Sequence, residues 1–154
     1  MNIPSTDRIE RQVQLKAPRS RVWQALADAE SFGAWFGVKL QGQRFVAGEY
    51  TRGNLTYPGY EDLVLEALVE RIEPERYFSF RWHPYAVDRE HDYADEPTTL
   101  VEFMLEDHAG GTLLRVVESG FDQIPVARRH EAYRMNSGGW EEQMHNIRRY
   151  VDTQ

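Results

Sequence analysis

"VARRHEAYRMNSGGWEEQMHNIRRYV", residues 126–151, decides how the rest of the chain is read. Tyr133, Ser137, Trp140, Met144, Ile147 and Val151 recur at steps of three and four, the stripe of an amphipathic helix. At 1.5 Å per residue, roughly 27 residues predict a rod of about 40 Å. That is longer than a small sheet is wide, so the helix must cross a sheet diagonally. Within it stand Gly138 and Gly139, directly before Trp140. Each costs about 1 kcal/mol relative to alanine in a helix interior. One reading is that the missing side chains let the backbone approach its neighbours closely, or let the helix bend there. The other is that the helix begins near residue 138 and residues 125–137 form a looser lid.

Upstream, the pattern switches from period 3.6 to period 2. "RIERQVQL" (8–15) places Ile9, Val13 and Leu15 on one face, with Arg11 an awkward member, and predicts a half-buried strand. "APRSRVWQALADAE" (17–30) follows as a helix with Pro18 in its first turn, and "ESFGAWFG" (30–37) as a second, ended by Gly37. Strands are then expected in "QRFVAGEY" (43–50), "LVLEALVERI" (63–72), "RYFSFRWH" (76–83), "TTLVEFMLED" (98–107) and "TLLRVVESGF" (112–121). "TRGNLTYPGYED" (51–62) reads as a loop, and "HAGG" (108–111) as a tight hairpin turn. The class is α+β: a strand, two short helices, about five more antiparallel strands, and one long helix. A sheet with one long helix to cover its face curls around that helix, and the two diverge at one end. That geometry favours an internal cavity.

The bulk numbers bound the function. A chain of 154 residues fits one domain, here 1–154. Its net charge is −7, with 25 acidic against 18 basic residues, which excludes nucleic acid as main partner. No apolar run approaches the ~20 residues of a membrane span. With 0 cysteines there is no disulfide, thiolate metal site or thiol nucleophile. "MNIPSTDRIERQVQ" lacks the apolar segment of a secretory signal. A cytoplasmic protein is expected, monomeric or a weak homodimer.

Several stretches resemble the START-like superfamily, the helix-grip or birch-pollen-allergen fold. They are "APRSRVWQALAD", "WFG" at 35–37, "VERIEPERYFSFRW" at 69–82, "GGTLLRVVESGF" at 110–121 and "GGW" at 138–140, in that order. Within the superfamily they look most like the family of the activator of the 90-kDa heat-shock protein ATPase. The resemblance implies a helix-grip fold, in which a curved antiparallel sheet of about six strands wraps around the C-terminal helix. It also implies a cavity for a hydrophobic or amphipathic small molecule, with chaperone contact and a stress-response role as the alternative.

The expected walls of that cavity are Trp35, Phe36, Tyr50, Phe80, Trp82, Phe103, Phe121, Tyr133, Ser137, Trp140 and Met144. Inward aromatics can equally fill a core. Glu118 is the candidate polar anchor. With Arg115 facing water, Leu114, Val116 and Glu118 fall inward, and a carboxyl at a strand end would sit near the cavity mouth. There it orients a ligand, or moves a proton in a cyclase- or dehydratase-type reaction with Tyr133 or His83. The competing reading is a rim glutamate bonded to an arginine or a backbone N–H. "HPYAVDREHDYADE" (83–96) combines histidines and carboxylates without the spacing of a zinc or calcium site, and reads as an acidic surface loop able to act as a lid. No metal and no cofactor are expected, and no nucleophilic triad or phosphate-binding loop is present.

Overall fold

The computed structural model describes residues 6–152. Its elements are β1 (Arg8–Leu15), α1 (Arg19–Ala27), α2 (Ala29–Phe36), β2 (Tyr50–Asn54), β3 (Val64–Glu73), β4 (Tyr77–Trp82), β5 (Thr99–His108), β6 (Gly111–Ser119), a 3₁₀ turn (Phe121–Gln123) and α3 (Val126–Asp152). All neighbouring strands pair antiparallel in the order β1-β6-β5-β4-β3-β2, giving a curved, open six-stranded sheet. A register shift between Val69 and Arg71 marks a bulge in β3, a local source of bend and twist.

Local chemistry sets the boundaries. The Pro18 carbonyl accepts the Arg21 and Val22 amides at 3.0 and 3.1 Å and opens α1. Asp28 caps α2, its Oδ2 accepting from the Ser31 amide at 3.1 Å and hydroxyl at 2.7 Å. Gly37 closes α2 at φ 99°, a left-handed conformation that favours glycine. The far end of α3 is tied to the β1–α1 turn, where Asp152 accepts from the Lys16 and Ala17 amides. Among the described residues no helix is long and apolar enough to cross a membrane.

Arg11, the misfit on the inner face of β1, reaches α3: its guanidinium donates to Ser137 Oγ at 2.6 Å and to the Glu10 carbonyl at 2.9 Å. The second strand lies later than the pattern of residues 43–50 suggests. The chain turns at residues 47–48, Gly48 N–H donates to the Val69 carbonyl at 2.8 Å, and strand pairing begins only at Tyr50. Part of the stretch read as loop is therefore the edge strand.

Helix α3 is continuous across its glycines. Close approach does not explain them, because a Cβ built on Gly138 or Gly139 would meet nothing within 4 Å. Both face open space.

Between sheet and helices the interior is filled by rings. Phe78 and Phe103 stack at 6.1 Å, Phe32 stacks on Phe36 at 5.0 Å, and Trp140 meets Phe103 edge-on at 5.8 Å. Burying a side chain such as Phe78 or Phe103 contributes about 1.5–3 kcal/mol, and both are fully buried.

Candidate functional site

The open space lies to one side of this filled core. A pocket of about 630 Å³ is bounded by one flank of α3 (Met135, Asn136, Gly139, Trp140, Glu142, Gln143), Phe36 at the end of α2, and Trp82 at the end of β4. The remaining walls are the β2–β3 connection with the start of β3 (Leu55, Tyr57, Pro58, Tyr60, Leu63, Val64, Leu65, Glu66) and the chain after β4 (His83, Tyr85, Ala86, Val87). Its size falls within the range of about 300–1,000 Å³ typical of small-molecule sites. Gly139 leaves one wall bare of a side chain.

Seven large hydrophobic side chains are exposed among the described residues, and four of them, Tyr57, Tyr60, Val64 and Met135, border this pocket. Such a concentration of exposed apolar surface marks interaction sites. Tyr85, also on the wall, is held at φ 49°, a region non-glycine residues enter at a cost. The two loops that form the outer wall are tied together by Arg89, which donates to Asp62 at 2.5 and 2.8 Å and to the Gly59 carbonyl at 2.7 Å. Arg128 of α3 fastens the second loop through Glu96 (2.8 Å) and the Pro84 carbonyl (2.7 Å). Among the described residues no group of three or more histidines and carboxylates is arranged to hold a metal.

Glu118 lies under the inner end of the pocket, fully buried rather than at a mouth or rim. Among the described residues no arginine bonds to it. Its Oε1 accepts from Trp140 Nε1 at 2.7 Å and Asn136 Nδ2 at 3.0 Å; its Oε2 accepts from Thr99 Oγ1 at 2.6 Å and Trp82 Nε1 at 2.7 Å. One carboxyl thus joins β4, β5, β6 and α3, and three of its four donor residues are pocket walls. Loss of water pushes its pKa up, opposed by the hydrogen bonds from Thr99, Trp82, Trp140 and Asn136. Indole and amide N–H groups only donate, so a proton on Glu118 belongs on Oε2, facing the Thr99 hydroxyl.

Of the residues expected to line a cavity, the structure brings Phe36, Trp82 and Trp140 to the pocket. The others do not border it. Trp35 is buried with its Nε1 on the Ala25 carbonyl at 2.8 Å. Phe80, Phe103 and Met144 fill the core. Phe121 is buried edge-on to Tyr133, 5.2 Å between centroids, while the Tyr133 hydroxyl donates to the Arg8 carbonyl at 2.9 Å. Ser137 is engaged by Arg11, and Tyr50 is exposed on the edge strand beneath the Arg52 guanidinium. Reading the helix as one stripe missed its neighbour: Asn136, Gly139, Trp140 and Gln143 follow the same steps of three and four on the pocket side. For Tyr57 and Tyr60 the signal was two aromatics in a Gly- and Pro-bearing loop, where no core requires them.

A second polar arrangement holds α3 to α2. Gln143 Nε2 donates to the Phe36 carbonyl at 2.9 Å and to the Tyr57 hydroxyl at 3.0 Å, and that hydroxyl donates to the same carbonyl at 2.6 Å. Burial raises the Tyr57 pKa; the Gln143 hydrogen bond lowers it and the nearby Glu142 charge raises it. The phenol is therefore a neutral hydrogen-bonding group.

A long helix laid across a curved antiparallel sheet, with two short helices after the first strand, defines a START-like, helix-grip protein. Residues 16–152 match the family described as Activator of Hsp90 ATPase homolog 1-like protein, and the chain belongs to that family. The same fold recurs in solved structures at low identity. DynU16, described as a protein in the dynemicin biosynthetic locus, is 24% identical over 97% of this chain and 48% of its own, with a TM-score of 0.72. This chain therefore spans about half the length of that protein. MLL2253 from Mesorhizobium loti is 20% identical over 95% of this chain and 97% of its own, with a TM-score of 0.71. A protein from Arthrobacter aurescens is 14% identical over 99% of this chain and 91% of its own, with a TM-score of 0.79. At these identities the likeness is one of fold. No curated protein matches the chain.

Proposed function

We propose that this protein binds an apolar or amphipathic small molecule in the pocket between the α3 flank, the β2–β3 connection and the chain after β4. The observation that carries the reading is the gathering of exposed Tyr57, Tyr60, Val64 and Met135 around an open concavity whose inner end is closed by Trp82 and Trp140. Tyr57 also ties its loop to α2 and α3 through its hydroxyl, but Tyr60, Val64 and Met135 make no such bond among the described residues and leave apolar surface in water without a core contact that requires it. Glu118 serves there as an anchor for the inner wall: it fixes both indoles and Asn136 rather than presenting a bare carboxyl to the ligand. With both of its oxygens occupied, proton-transfer chemistry at Glu118 is the less supported use of the site.

The test is a thermal-shift panel of sterols, flavonoids, fatty acids and polycyclic aromatics, run on the protein and on Gly139→Leu and Gly138→Leu. A ligand at a hundred times its Kd adds about 2.7 kcal/mol, or roughly 5–11 °C for a chain of this size. A hit lost in Gly139→Leu and kept in Gly138→Leu places it in the pocket, because only Gly139 borders it. A hit indifferent to both, or a panel without hits, removes the support for this reading and moves it to the outer surface.

A further inference from the structure

Resting on the pocket reading above, the charge and hydrogen-bonding pattern of the walls narrows the ligand class. The charged lining residues are Glu66 and Glu142, with no lysine or arginine. Glu66 is matched by Arg52 at 2.5 Å. Glu142 has no ion-pair partner among the described residues, although its charge is felt by the Tyr57 phenol on the adjacent wall.

The neutral polar groups carry the same bias. Asn136 turns its Nδ2 toward Glu118 at 3.0 and 3.3 Å, leaving Oδ1, an acceptor, without a partner among the described residues. His83 Nε2 faces the Glu96 carbonyl at 3.0 Å and so carries a hydrogen, which in the neutral ring makes Nδ1 an acceptor. The Tyr57 hydroxyl spends its hydrogen on the Phe36 carbonyl, and the Gln143 amide donates to that carbonyl and to the Tyr57 hydroxyl. Among these groups the donors are used and acceptors remain, and the other hydroxyls of the lining, Tyr60 and Tyr85, can accept as well as donate. Around them stand the aromatic rings of Phe36, Tyr57, Trp82 and Trp140, surfaces that attract cations, indole most strongly, while the Tyr60 ring already carries the Arg89 guanidinium at 6.0 Å.

We infer that the pocket selects an aromatic or alkyl ligand bearing a protonated amine, its apolar body among the rings and its ammonium group drawn to Glu142, and that it discriminates against carboxylates. A carboxylate of the same shape would meet an unpaired glutamate and acceptor atoms, with no lysine or arginine among the lining residues; the nearest guanidinium over a wall, Arg89 on Tyr60, is already held by Asp62.

The experiment compares three molecules sharing one ring system, 2-(2-naphthyl)ethylamine, 2-(2-naphthyl)ethanol and 2-naphthylacetate, by calorimetry on the protein and on Glu142→Gln and Gly139→Leu. An exposed charge pair changes affinity by roughly two- to fivefold. Attraction of the amine and repulsion of the acid together therefore separate them by about tenfold. The alcohol falls between, and the spread shrinks to about threefold or less in Glu142→Gln and at high salt. Carboxylate binding equal to or tighter than amine binding overturns the inference. If the alcohol still binds and is lost in Gly139→Leu, the pocket reading survives that result. Amine binding untouched by Gly139→Leu, or none of the three binding at millimolar concentration, overturns both.

Discussion

Replacing Gly138 and Gly139 by alanine, singly and together, should stabilise this protein. Glycine in a helix interior costs about 0.8–1.0 kcal/mol relative to alanine, and both positions lie well inside α3. An opposing steric cost is absent, since the new Cβ meets nothing within 4 Å at either site. Each single variant should therefore gain about 0.8–1.0 kcal/mol and the double variant about 1.5–2 kcal/mol, because the two methyls share no contact. Urea unfolding followed by helical circular dichroism reads this as a higher midpoint at unchanged slope. In thermal unfolding the double variant should rise by roughly 3–8 °C. A midpoint lowered by either alanine would refute the reasoning: the glycines would then be needed for a close approach that the geometry denies, or for a bend of α3. A stabilised double variant with weakened pocket binding would identify a stability cost tolerated for an unobstructed wall.

Glu118→Gln replaces Oε2 or Oε1 by an amide N–H₂ that cannot accept from an indole, so it should cost about 1–3 kcal/mol through one orphaned buried donor. Because burial raises the Glu118 pKa, its contribution is complete below the ordinary carboxyl range, about 4.3, and declines as pH rises through the folded value. The stability gap between wild type and Glu118→Gln should accordingly narrow as pH rises above the ordinary carboxyl range; a gap that widens with pH would contradict the raised pKa. Phe103→Ala should cost about 3–5 kcal/mol in urea unfolding, as expected for a fully buried ring, and a loss under 1.5 kcal/mol would mean that the interior collapses around it. Ser137→Ala should cost about 1 kcal/mol by removing the acceptor of Arg11, with ligand affinity unchanged because Ser137 lies off the pocket.

Where a residue's role follows from its own strand or helix, the sequence was sufficient to see it. Alternation placed β1 on the bounds observed, Gly37 marked the end of α2, and parity turned Glu118 inward. What surrounds a residue was not legible, because it depends on pairs far apart in the chain. Arg11 finds Ser137 across 126 residues, and Glu118 finds Trp82 across 36. The pocket escaped for a related reason. Inward aromatics were the natural candidates, but close packing leaves little room among them. The vacant volume sits where exposed loop aromatics face a glycine-bared helix flank. The start of β2 was misplaced because residues 43–50 carry strand-like composition while a turn at 47–48 interrupts the ladder.

The pairing of the first strand with the last has a consequence during synthesis. Arg8 stands opposite Ser119 and Leu15 opposite Thr112, so β1 leaves the ribosome roughly 110 residues before its partner. At about 5–20 residues per second, it waits on the order of 10 s as an unpaired strand with apolar Ile9, Val13 and Leu15 on one side. Arg11 interrupts that apolar face with charge, and Arg8 and Glu10 charge the opposite one, the kind of placement that discourages premature strand pairing. The same Arg11 that later anchors α3 through Ser137 is thus present as a guard before there is any helix to anchor.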